Sequence, residues 1–210
     1  MNEFQQAYKV WSDNENDQYD EYTLYHEAGH AIINSIFTGL TYGIKIDDEN
    51  ACGIAYTSPH IISFQGPLIA MWVDIAGLAA GKIHDPVQHK SIPFDRCFSD
   101  IGAACTNAEK LGIQEDQLES YFYQQLDECV EFLSKPEVWQ MVERVVSEIK
   151  RQLVKKDFPS KLSISKTTME RILRPYENTI LGLIKQGYKR NLMPHIDWSE
   201  AYPNDQPSSS

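Results

Sequence analysis

A helix without a polar face places the tightest constraint on this chain. Between Leu24 and Phe37, the residues Leu24, Ala28, Ala31, Ile32 and Ile36 recur at three- and four-residue steps, while Ile33 and Phe37 occupy the other side. A segment that is apolar nearly all round has to be enclosed by other elements, so the fold must be built around it. Gly39 is its expected stop. With 210 residues, 42% of them hydrophobic, the chain is long enough to supply such a shell and to bury roughly 70% of its unfolded surface.

The shell can be read from the remaining pattern. Ile44-Lys45-Ile46, the polar run Asp47 to Asn50, and Gly53 to Tyr56 predict a short β-hairpin. Pro67 suits the first turn of a helix running to about Ile83, whose Ala70, Ala76, Gly77, Ala80 and Gly81 let another backbone come close. Ser99 reads as the cap of a helix through Leu111. Two longer helices are expected over 115–133 and 137–155, separated by Pro136. Residues 156–165 read as a loop, and 167–173 and 176–186 as shorter helices. The expected fold class is therefore mainly α, with a small β-hairpin beside the buried helix.

Charge narrows the function classes. A net charge of −11 repels phosphate backbones and anionic membrane surfaces, so nucleic acid is not an expected partner. The acidity is concentrated in residues 1–134, with 6 basic and 21 acidic side chains, whereas residues 135–190 carry 13 basic and 6 acidic ones. That basic excess is expected to form a solvated helix surface. The acidic opening lacks the basic and then apolar layout of a secretory signal. The longest uncharged run, 50–73, is broken by Pro59, Gly66 and Pro67, so no membrane insertion is expected. Cys52, Cys97, Cys105 and Cys129 form no C-x-x-C pair, and reduced thiols in a cytoplasmic setting fit them best.

His26-Glu27-Ala28-Gly29-His30 is an H-E-x-x-H motif set into the enclosed helix. Histidines four apart share one helix face, which lets both imidazoles reach one zinc ion at about 2.0–2.1 Å. Glu27, one residue past the first ligand, is placed to act as general base on a water near the metal. A buried helix has little reason to hold these three groups unless something pairs them, because each unpartnered polar group costs about 1–3 kcal/mol. A catalytic site needs a third protein ligand. The metzincin extension fails, since Ile33 and Ile36 stand where it needs Gly and His. Glu49 falls in the hairpin turn. The candidates are His60, Asp74, His84, Asp85, His89, Asp95, Cys97 and Asp100. Asp100 precedes the small or apolar run Ile101 to Ala104, which suits packing beside the first helix, yet an aspartate there can equally serve only the helix N-terminus.

Four segments, in order, resemble a known family: Tyr25 to Ile32 (YHEAGHAI), Ala51 to Tyr56 (ACGIAY), Ile75 to Gly81 (IAGLAAG), and Ser99-Asp100-Ile101. They are similar to the peptidase domain of FtsH-type proteases, the M41 metallopeptidases. The resemblance spans about residues 22–111 and continues more weakly to about 174. It implies one zinc ion held by His26, His30 and Asp100, with Glu27 as catalytic base. It also implies that Gly53, Ile54, Ala55, Tyr56 and Thr57 form an edge strand that pairs with extended substrate. On this reading residues 1–20 are a polar N-terminal segment, 21–190 the peptidase-like domain with its zinc core over 22–111 and its later helices over 115–190, and 191–210 a flexible tail.

The expected function is zinc-dependent cleavage of peptide bonds in flexible or unfolded polypeptides. FtsH-type proteins carry an ATPase, but no G-x-x-x-x-G-K-[ST] loop occurs here, so a separate ATPase or adaptor is the expected source of any energy-driven delivery. The competing reading is a catalytically silent zinc domain that binds peptides or proteins. A fourth protein ligand such as His60 or Cys97 would mark it.

Overall fold

A computed structural model describes residues 21–38, 43–47, 52–55, 66–85, 97–155 and 161–189. The enclosed helix is α1, Glu21–Thr38, and every residue from His26 to Phe37 is buried. Its shell consists of α2 (Pro67–His84), α5 (Pro136–Lys155), α7 (Glu177–Lys189) and a small sheet. Helix α2 has the closest partnership with α1 and also carries α3 (Phe98–Lys110) and α4 (Leu118–Leu133) on its other faces.

The small residues of α2 explain how two helices approach so tightly. A Cβ on Gly29 would overlap the carbonyl oxygen of Ala76, so glycine is required where α1 crosses α2. Around this crossing the core is continuous from Leu24 to Ile184, including Phe37, Met71, Trp72, Leu126, Val142 and Ile149. Trp72 is buried and donates its indole N–H to Gln125 Oε1 at 2.8 Å, which accounts for a glutamine inside the core. Trp139 is only half-buried. Its ring stacks with Tyr25, 5.6 Å between centroids, at the edge of the core.

The predicted hairpin is present as β1 (Gly43–Asp47) and β2 (Cys52–Ala55), paired antiparallel with Ile44 opposite Ala55 and Ile46 opposite Gly53. Its turn lies outside the described residues. The expected loop over 156–165 is corrected in its second half, where Lys161–Ser165 form β3. Leu162 and Ile164 alternate with exposed Lys161, Ser163 and Ser165, and the buried pair faces the core while β3 pairs with β1. The sheet order is β2-β1-β3, which leaves one edge of β2 unpaired among the described strands.

The later helices follow the expected plan with small shifts. Pro136 opens α5, and a 3₁₀ turn at Glu115–Gln117 precedes α4. Ser165 caps α6 (Lys166–Leu173), accepting from the Thr168 amide at 3.3 Å. Ser99 is not a cap. Cys97 holds that position, without a side-chain cap bond, and Ser99 is exposed in the first turn of α3. Arg144, Lys150, Arg151 and Arg171 are exposed, in keeping with a solvated basic surface. No helix among the described residues is long and apolar enough to cross a membrane.

Candidate metal centre

His26 and His30 project from the same face of α1 toward α2, and Asp100 reaches them from the first turn of α3. The three side chains meet closely. His26 Nε2 and His30 Nε2 are 3.0 Å apart, Asp100 Oδ2 is 3.0 Å from His26 Nε2, and it is 3.6 Å from His30 Nε2. Ligand atoms around a tetrahedral zinc with bonds of about 2.0–2.1 Å stand roughly 3.3–3.4 Å apart. The observed edges lie within about 0.4 Å of that spacing, two shorter and one longer.

The space for this triangle is made by α2. A Cβ on Gly77 would lie 2.5 Å from both His26 Cε1 and His30 Nε2, so any larger residue would displace the rings. His30 is further oriented by its other nitrogen, since Nδ1 lies 2.6 Å from the Val73 carbonyl oxygen. A carbonyl can only accept, so Nδ1 carries a proton and Nε2 is the nitrogen turned to the triangle. His26 Nδ1 lies 3.9 Å from Cys97 Sγ, which is also 3.2 Å from the Tyr22 hydroxyl.

Electrostatics reinforce the geometry. Burial would raise the Asp100 carboxyl, but hydrogen bonds from His26 and His30, together with their charge, hold it well below the usual carboxylate range. Burial and the neighbouring His30 push His26 down, against the pull of Asp100. Burial also acts to lower His30, yet the hydrogen bond to Asp100 and the charge of Glu27 outweigh it and push His30 up to about 9. Without a metal, the imidazole pair therefore retains a proton near neutral pH. A divalent cation would take the place of that proton between nitrogen and oxygen donors.

Glu27 is buried beside the triangle, with Oε1 3.9 Å from His26 Nε2. Its oxygen stands farther from His26 Nε2 than the Asp100 oxygen does. Two imidazoles and one carboxylate form a donor set suited to zinc and able to leave a fourth position for water. Two further sets among the described residues, His26 with Glu27 and His30, and His26 with Cys97 and Asp100, also bring one ligand atom each close enough for a single ion.

Among the other third-ligand candidates, His84 is engaged elsewhere. It stacks on Tyr25 with centroids 3.8 Å apart and pairs with Glu21 Oε2 at 3.3 Å. Asp85 ends α2. Asp74 accepts from Asn107 Nδ2 at 2.8 Å, and its burial pushes it up to about 6 despite that bond. His60, His89 and Asp95 lie outside the described residues, as does Glu49. Of the expected substrate strand, Gly53, Ile54 and Ala55 lie on β2, which packs against α1, while Tyr56 and Thr57 fall outside the described residues. The Tyr22–Cys97 contact behind His26 and the glycine cradle at Gly77 were not anticipated as parts of the site. The small-residue run of α2 was the visible signal for the latter.

No family model, curated protein or solved structure matches the chain.

Proposed function

We propose that this chain is a zinc-dependent metalloendopeptidase of the FtsH-type, M41 kind, which hydrolyses peptide bonds in flexible or unfolded polypeptides. The observation that carries this reading is the triangle of His26 Nε2, His30 Nε2 and Asp100 Oδ2, with edges of 3.0, 3.0 and 3.6 Å and the Glu27 carboxylate beside it. His26, His30 and Asp100 would hold a zinc ion there, which would supply Lewis acidity toward a carbonyl oxygen and make a nearby water acidic enough to react at neutral pH. Glu27 accepts a proton from the attacking water and returns it to the departing amine. Asp100 balances charge and, with Val73 behind His30, keeps the donors aimed at one point.

Strand β2 provides the second element of the reading. Its outer edge, unpaired among the described strands and beside the helix that carries the motif, offers backbone donors and acceptors to an extended peptide. Recognition of that kind selects conformation over side-chain identity, so the substrate is a chain already unfolded. A separate ATPase or adaptor would supply folded proteins in unfolded form.

The test combines metal analysis with a chelator-sensitive assay on an unstructured polypeptide. Wild type is expected to hold one zinc per chain and to cleave. Glu27→Gln should retain the zinc and lose about 10²–10⁴-fold in turnover, the usual contribution of a positioned acid–base group. His26→Ala should lose the metal. Cleavage at an undiminished rate in Glu27→Gln would sink the mechanism.

A further inference from the structure

The two histidines of the centre are held from behind in different ways. His30 has a backbone acceptor, the Val73 carbonyl at 2.6 Å. His26 has a sulfur: Cys97 Sγ lies 3.9 Å from its Nδ1, the nitrogen that does not enter the triangle, whereas Nε2 is the atom 3.0 Å from both His30 and Asp100. A histidine that gives its Nε2 lone pair to a metal carries its proton on Nδ1 and needs an acceptor there.

We propose that Cys97 is the positioning residue for His26: its sulfur accepts the Nδ1 proton and, fixed by Tyr22, holds the imidazole with Nε2 toward the metal. The inference rests on the zinc reading above and assigns Cys97 to the rear of the ligand, outside the coordination shell. Three observations support it. Cys97 is fully buried at the N-terminal boundary of α3, three residues before Asp100, so the same backbone segment sets both the ligand oxygen and the sulfur behind the ligand nitrogen. The Tyr22 hydroxyl lies 3.2 Å from that sulfur, and Tyr22 is one turn before His26 on the same helix. Gly81 on α2 makes room for the Tyr22 ring, since a Cβ there would overlap it. Tyr22, Cys97 and His26 thus form a chain of contacts between α1 and the start of α3, ending at the imidazole whose Nε2 enters the triangle.

A thiol can fill this role without being ionised. Its lone pairs accept from Nδ1 while its own proton is available to the tyrosine oxygen. The alternative placement, sulfur as a fourth ligand, would close the site and favour a peptide-binding domain over an enzyme.

The experiment uses the full chain loaded with zinc. X-ray absorption on wild type is expected to show nitrogen and oxygen at about 2.0–2.1 Å and no sulfur near 2.3 Å. Chelator competition should find zinc bound about 10–100-fold more weakly in Cys97→Ala, and less severely weakened in Cys97→Ser and Tyr22→Phe. Tyr22→Phe should unfold like wild type when metal-free, which separates ring positioning from general stability and covers the case in which Cys97→Ala fails to fold. A sulfur shell at about 2.3 Å would overturn the assignment. So would equal zinc affinity in wild type, Cys97→Ser and Tyr22→Phe, although the proposed function would then stand. A wild-type chain that binds no zinc would overturn both.

Discussion

At the scale of single residues, the centre works as a charge trap whose contents depend on pH. His30 is raised, so the stability it gives the metal-free fold is complete below its ordinary value of 6.5 and is lost as pH rises through about 9. Asp100 is lowered, so its contribution is complete above its ordinary value of 3.8 and is lost as pH falls below that. Metal-free protein should therefore melt highest between about pH 4 and 6.5 and lose stability toward pH 9. Zinc-loaded protein should lack that alkaline decline, because its imidazoles are already deprotonated. Thermal unfolding with and without chelator across this range provides the check, and parallel curves would contradict it. Asp74 has the opposite effect on design: raised to about 6 by burial, its carboxylate costs stability as pH rises above 3.8. Asp74→Asn keeps an acceptor for Asn107 and should stabilise the fold by about 1 kcal/mol at pH 7, with no gain at pH 4, as read from denaturant midpoints. At this scale His26, Glu27 and His30 were legible because four-residue spacing alone puts both rings on one face. Asp100 was one of eight candidates on its residue environment, since no helical period relates a residue on α3 to one on α1. The resemblance singled it out, and the geometry brings it to the histidines.

At the scale of elements, the small-residue stripe of α2 shapes the centre as well as the crossing. Helix propensity by itself favours alanine over glycine at position 77 by about 1 kcal/mol. The Cβ would nevertheless lie 2.5 Å from both imidazoles, so Gly77→Ala should leave helix content intact and weaken zinc binding by at least about tenfold. Circular dichroism beside chelator competition measures both, and unchanged affinity would show that the rings can shift without cost. The helices were the most legible elements, because 3.6-residue periodicity and proline at the first turn are local signals, as at Pro67 and Pro136. The missed strand was not local in the same sense. Five residues, Lys161–Ser165, alternate only twice, and what makes them a strand is the distant partner β1. Ser99 was misassigned for a related reason: the chain enters α3 two residues early, where Cys97 is drawn into the core.

At the scale of the whole molecule, one continuous core joins the motif helix to the later helices, so the site depends on residues far from it in sequence. Trp72 shows this dependence. Its ring packs edge-on against Phe37 and Phe132, and its N–H satisfies Gln125 on α4. Trp72→Phe would leave the Gln125 carbonyl buried without that donor and should cost about 1–3 kcal/mol in denaturant unfolding; a cost near zero would mean water reaches the vacated space. Surface ties span the same distances. Lys150 on α5 bonds Glu21 at the start of α1, and Arg171 on α6 reaches Glu148 on α5 at 3.3 Å.

The sheet order has a further consequence, which concerns time. Strand β1 lies between β2, its hairpin partner, and β3, which follows it by more than a hundred residues. The hairpin can form early, but its rear edge stays open until the distant segment arrives, and pairing across so long a loop is slow compared with helix formation. During synthesis both edges of the hairpin are thus exposed, and only the completed chain covers the inner one. An inner hairpin edge covered by β3 is therefore a late product of folding, so a nascent fragment would expose two strand edges where, among the described strands, the folded chain leaves only the outer edge of β2 unpaired.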